Sequence, residues 1–188
     1  MLTGTAMQPI KKLTTVLGAI TDEEHYLFTL SDLHGAMPEQ SASGFKALVC
    51  RGEKDGLLKR VCRSLYLYPK VDYPQGLLLF HAAARLRAGE FNYISLESAL
   101  SDAGVISQIP MNWITVMSSG RTTTVSCGAF GTIEFIHTKR RPENLASQLN
   151  YDSRCHLWRA SVRLALKDMN VTRRNTDLVD MEAVDELV

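Results

Sequence analysis

LLKRVCRSLYLYP, residues 57–69, is the stretch on which the reading of the chain turns. Its spacing is extended rather than helical. Leu57 to Cys62 and Leu65 to Tyr68 read as two strands, with Arg63 and Ser64 as a tight basic turn between them. Pro69 lacks the N–H a ladder needs and stops the second strand. Tyr66 and Tyr68 fall on one strand face and read as packing residues. Directly upstream the period becomes helical. Ser41 or Ser43 can cap a helix that turns Phe45, Leu48 and Val49 inward and ends at Gly56.

Further upstream, Pro38 marks a turn. Thr29 and Ser31 can cap a short helix through Leu30 and Leu33 that ends near Gly35, and Tyr26 to Phe28 is β-prone. Residues 7–20 place Ile10, Leu13, Val16, Leu17 and Ile20 at helical gaps of three and four. Helix, short strand, helix, turn, helix, hairpin is the order of a winged helix-turn-helix. The expectation is therefore an α+β chain whose residues 1–70 form that domain.

Residues 71–188 are expected to form a second, mixed α/β domain with a small antiparallel sheet and C-terminal helices. Leu77 to Leu86 looks helical, and Tyr93 and Ile94 look extended. Ser95 can cap a helix to about Ala103, with Glu97 suiting the first turn; Ser95, Glu97 and Ser98 are thus read as structural. Trp113–Met117, Thr122–Cys127 and Thr132–Thr138 are β-prone, the last two joined by a hairpin at 128–131. From Pro142 the spacing of Leu157, Val162, Leu164, Leu166 and Met169 reads as helical.

A length of 188 residues suits two small domains or one large one, and a hydrophobic fraction of 45% can supply a core. The formal charge of +1 excludes a uniformly basic binder, but it averages two opposite regions. From Ser41 to Lys70 there are seven bases against two acids. After Arg174 there are only acids: Asp177, Asp180, Glu182, Asp185 and Glu186. No run is apolar enough for a membrane span, and no leader-like segment opens the chain, so a cytoplasmic protein is expected. The four cysteines lack CxxC spacing and read as buried thiols. The five histidines have no metal-ligand spacing, Cys155 beside His156 lacks an orienting carboxylate, and no phosphate-binding or nucleophile-elbow motif occurs. Neither an enzyme nor a cofactor is expected.

Two blocks carry a resemblance. LLKRVCRSLYLYP resembles the end of the winged helix in AbiEi-type antitoxins of type IV toxin–antitoxin systems, which reads LL-x-R-V-x-R-G-x-Y. YISLESALSDAGVI, residues 93–106, is similar to the family segment Y-I-S-x-x-S-A-L-x-x-x-G-x-I. The likeness covers roughly residues 25–140. Ser64 stands where the family has glycine, a position at which glycine would allow positive φ without strain. The resemblance implies a repressor that binds inverted-repeat operator DNA of its own operon. It also implies a counter to a nucleotidyltransferase-like toxin, with no stable complex required. Binding as a dimer or as cooperating monomers is open.

A basic helix followed by a basic hairpin suits a duplex, with the helix in the major groove and wing cations on flanking phosphates. Ser41 and Ser43 are candidate phosphate contacts or plain helix caps. Lys46, Arg51 and Lys54 share a loose face, and Arg51 is the candidate base reader, since a guanidinium can pair with both acceptors of guanine. Lys59, Arg60 and Arg63 flank the wing turn. Alternation along a strand predicts that Lys59 and Arg60 face oppositely. In the second domain Arg121, Lys139, Arg140, Arg141, Arg159 and Arg163 are candidates for an antitoxin surface, Arg159 and Arg163 sharing a helix face. The rival reading is a winged-helix regulator whose C-terminal domain senses a small ligand. A third is a catalytic C-terminal domain.

Overall fold

The computed structural model describes residues 7–107 and 112–188. It is a mixed α/β fold with two separate sheets. The chain divides into two compact units, Met1–Gln75 and Gly76–Val188. Among the described residues no helix is long and apolar enough to cross a membrane.

In the first unit α1 (Pro9–Ile20) starts on a proline, whose missing N–H costs nothing at a helix start. It buries Leu13 and Leu17, each worth roughly 1.5–3 kcal/mol of burial. The short strand β1 (Leu27–Thr29) runs directly into α2 (Leu30–Ala36). Thr29 makes the junction sharp. Its Oγ1 accepts from the Asp32 amide, and the Asp32 carboxylate accepts from the Thr29 amide, forming a capping box. Helix α3 (Ala42–Lys54) leads to the hairpin of β2 (Lys59–Cys62) and β3 (Leu65–Leu67). The three strands form an antiparallel sheet in the order β1-β3-β2, with a register slip between Arg60 and Cys62. Leu13, Leu17, Phe28, Leu33, Met37, Leu48, Val49, Leu57, Leu58, Tyr66 and Tyr68 pack into one core. Both tyrosines are thus core residues, as the strand spacing predicts.

The second unit contains α4 (Leu78–Leu86), β4 (Asn92–Ile94), α5 (Leu96–Asp102), β5 (Trp113–Ser118), β6 (Thr123–Ser126), β7 (Thr132–His137), β8 (Leu149–Asp152), β9 (Leu157–Ala160), α6 (Val162–Val171) and α7 (Met181–Leu187). Its sheet is neither small nor purely antiparallel. Six strands lie in the order β6-β7-β5-β4-β9-β8, with β5/β7 and β4/β9 parallel. The region after Pro142 is not continuously helical either. Leu157 belongs to β9, so helix begins only at Val162. Strands β8 and β9 have four residues each and show burial only at Leu149, Leu157 and Ala160, too few to display a period of two.

Ser95 precedes α5, but its hydroxyl makes no cap. It donates instead to Asp168 Oδ2 on α6, at 2.7 Å. Leu96 takes φ 57°, a costly conformation for a leucine, and the surroundings hold it there. Thr115 on β5 donates its hydroxyl to the Ser95 carbonyl and its amide to Ser98 Oγ, and it accepts from the Ser98 amide. At the start of β7, Gly131 has φ 124°, and a Cβ there would lie 2.0 Å from the Asn112 carbonyl oxygen, so only glycine fits.

Candidate nucleic-acid interface

Helix α3 is held at both ends. Ser41 Oγ accepts from the Gly44 amide at 3.2 Å and caps its start. Gly56, at φ 69°, lets the chain turn off its end. Ser41 is therefore a cap, whereas the Ser43 hydroxyl lies 3.3 Å from that of Ser41. Leu48, Val49 and Gly52 are buried. At about 100° per residue the opposite side carries Ser43, Lys46, Ala47, Cys50, Arg51 and Lys54, and all six are exposed. Ala47 and Cys50 carry no charge that would mark them in the sequence. Their spacing from Ser43 and Lys54 would have placed them at the centre of this outer face. Cys50 is also exposed, which corrects the expectation of a buried thiol there; Cys62, Cys127 and Cys155 are buried.

The hairpin is tied to the helix. The Gly52 carbonyl accepts from both the Leu57 and Leu58 amides, at 2.9 and 3.0 Å. A Cβ on Gly52 would meet Leu58 Cδ1 at 3.2 Å. Lys59 thus starts the outer strand immediately beyond the end of α3. Lys59 and Arg60 are both exposed, whereas Val61 and Cys62 of β2 are buried. Arg60 Nε lies 3.4 Å from the Cys62 carbonyl and folds back along its own strand. Arg63 is exposed at the turn. Ser64 takes φ 66°, so this serine adopts the conformation that glycine would take without strain. Its carbonyl accepts from the Leu30 amide, pinning the turn to the start of α2.

The electrostatics follow from this placement. Lys46, Arg51, Lys54, Lys59, Arg60, Arg63 and Lys70 are all exposed. Among the described residues Lys46, Arg51, Lys54, Arg60, Arg63 and Lys70 form no ion pair; the Arg51–Asp55 pair that the sequence allows is not made. Burial raises the pKa of the Tyr66 phenol beneath, and Glu53 adds to that shift while Arg60 opposes it. Exposed cations on one helix face and its adjoining hairpin can neutralise phosphates and release counterions.

The basic residues of the second unit behave differently. Arg140 pairs with Asp168 at 2.7 Å, and that carboxylate is 1% exposed. Arg159 pairs with Asp152 at 2.9 Å and also with Asp102. Arg159 lies on β9 and Arg163 on α6, so the shared helix face expected for them does not exist. Arg163 reaches the Val188 carbonyl oxygen instead. Arg121, Lys139 and Arg141 are exposed. Burial raises the Cys155 thiol to about 11, and the His156 ring lies tilted against that of His81, with centroids 4.6 Å apart. Among the described residues no three of His, Cys, Asp and Glu are grouped so as to hold a metal ion. A hollow of about 570 Å³ is lined by Leu77, Phe80, Ala99, Arg154, Arg159 and Val162, among others.

No family model matches the chain, and no curated protein matches it.

Proposed function

We propose that the chain is an operator-binding antitoxin of the AbiEi type, acting in the cytoplasm. The observation that carries this reading is the unpaired basic outer face of α3 continued by the basic hairpin. The element order α1-β1-α2-α3-β2-β3, with the β1-β3-β2 sheet, supports reading the first unit as a winged helix. In it α3 enters the major groove, Arg51 reads a base edge, and Lys59, Arg60 and Arg63 hold phosphates. Inverted-repeat operator DNA is the first partner and a nucleotidyltransferase-like toxin the second. With Arg140 and Arg159 engaged internally, the antitoxin surface of the second unit narrows to Arg121, Lys139, Arg141 and Arg163.

The DNA half is tested by measuring binding to the chain's own promoter region across salt concentrations. Affinity should fall with a log–log slope of about −0.9 per phosphate contacted. A salt-independent or absent interaction defeats it. The antitoxin half is tested by co-expression with the neighbouring toxin, and failure to restore growth defeats that. A second reading, a regulator whose second unit senses a small molecule, is favoured by the 570 Å³ hollow, which lies within the size range of ligand pockets.

A further inference from the structure

The six-stranded sheet of the second unit leaves one edge unguarded. Among the described residues, strand β6 is outermost in the sheet and pairs only with β7. Thr123 pairs with Phe135 and Val125 with Ile133, and the Cys127 amide continues this ladder to the Gly131 carbonyl at 2.8 Å. Antiparallel strands alternate between residues that bond one neighbour and residues that face away. With Cys127, Val125 and Thr123 bonded to β7, the N–H and C=O groups of Thr124 and Ser126 face outward. Thr123, Thr124 and Ser126 are exposed and Val125 is half-buried. Proteins normally blunt such an edge with charge, proline or a covering segment. From Thr122 to Ser126 the sequence is TTTVS, with neither charge nor proline. The opposite edge differs, since β8 carries Asp152, ion-paired to Arg159 on β9.

We propose that β6 docks against β6 of a second copy of this chain, antiparallel, across a twofold axis at Val125. The strand is complementary to itself in this register. Thr124 lies opposite Ser126 of the partner subunit, and the two exchange backbone hydrogen bonds. Val125 meets its own counterpart at a non-hydrogen-bonded site, where strands approach to roughly 4.5 Å between Cα atoms and side chains touch most closely. The nearest charge, Arg121, falls opposite Ala129 of the partner subunit, so no like charges meet. A twofold contact of this kind closes on itself and builds no filament. The inference stands on the second unit alone and does not depend on DNA binding.

The test is the mass of the full chain in solution, by light scattering behind size exclusion, as concentration is raised. A dimer is expected. Val125→Lys sets two ammonium groups face to face, and Thr124→Pro deletes an outward N–H without touching the ladder to β7. Either substitution is expected to halve the mass while the circular dichroism spectrum stays unchanged. Hydrogen exchange on the unsubstituted chain gives a readout that needs no variant. The Thr124 and Ser126 amides should exchange roughly tenfold or more slowly in the dimer than on dilution to monomer. A chain that stays monomeric at every concentration overturns the proposal. So does a dimer that survives both substitutions, or free exchange at those two amides.

Discussion

Asp168 and Arg140 form a 2.7 Å ion pair in which the carboxylate is almost wholly buried and the guanidinium still meets solvent. Ser95 Oγ occupies the other carboxylate oxygen. Burial pushes the Asp168 carboxyl above its ordinary value, although Ser95 and Arg140 both pull it down. Removing Asp168 strips two groups of their partner, and Asp168→Ala is expected to cost roughly 3–5 kcal/mol in urea unfolding. Arg140→Ala should behave differently. It leaves a carboxyl that can take up a proton, and a group whose pKa is raised on folding stabilises below 3.8 and loses that contribution as pH rises through its folded value. The Arg140→Ala loss should therefore be smaller at mildly acidic than at neutral pH. An equal loss at both would contradict this account.

Asp152 has the opposite sign. Burial would raise its carboxyl, but Arg159, Cys155 and the Arg154 amide together hold it at about 2. Its contribution is complete above 3.8 and disappears as pH falls through about 2. It is worth roughly 1–2 kcal/mol. Asp152→Asn should flatten the acid limb of a stability-versus-pH curve in that window and leave the limb above it parallel to the parent.

Ser64 at φ 66° offers a stabilising change. Ser64→Gly relieves the left-handed strain at the hairpin turn and keeps the carbonyl that receives the Leu30 amide. A gain of roughly 0.5–1 kcal/mol is expected, read as a higher thermal midpoint. A lower midpoint would mean that the turn gains more from the serine than its backbone angle costs.

The basic face separates into two kinds of variant. Arg60→Ala and Arg63→Ala should weaken DNA binding evenly across sequences and reduce the salt slope by about one each. Arg51→Ala should also relax discrimination at one base pair, by roughly 1–3 kcal/mol. Binding assays on a parent site and single-base variants separate the two. Undiminished affinity in all three would move the DNA surface elsewhere.

The first unit was legible because its signals are local. Helical spacing placed Leu13, Leu17, Leu48 and Val49 in the core, and the basic turn at Arg63 and Ser64 marked the hairpin. What the sequence hid depends on distant partners. Ser95 looked like a helix cap, yet its acceptor lies 73 residues further on. Arg140 and Arg159 looked like surface charge, because a carboxylate that will neutralise an arginine leaves no mark beside it in the chain. The parallel pairs β5/β7 and β4/β9 were equally silent, since register between remote strands has no local period. On α3, charge marks only part of the exposed outer face. Lys46, Arg51 and Lys54 were found, while the neutral Ala47 and Cys50 between them were not.

Gly52 gives the first unit a fixed ruler. Because one carbonyl receives two successive amides of the chain entering β2, and no side chain intervenes, the outer strand cannot hinge away from the helix without losing both bonds. A duplex gripped by this face would meet its groove contact and its flanking-phosphate contacts at a separation set inside the protein. Gly52→Ala would then lengthen that ruler by a few tenths of an ångström, altering fit while every contacting side chain stayed in place.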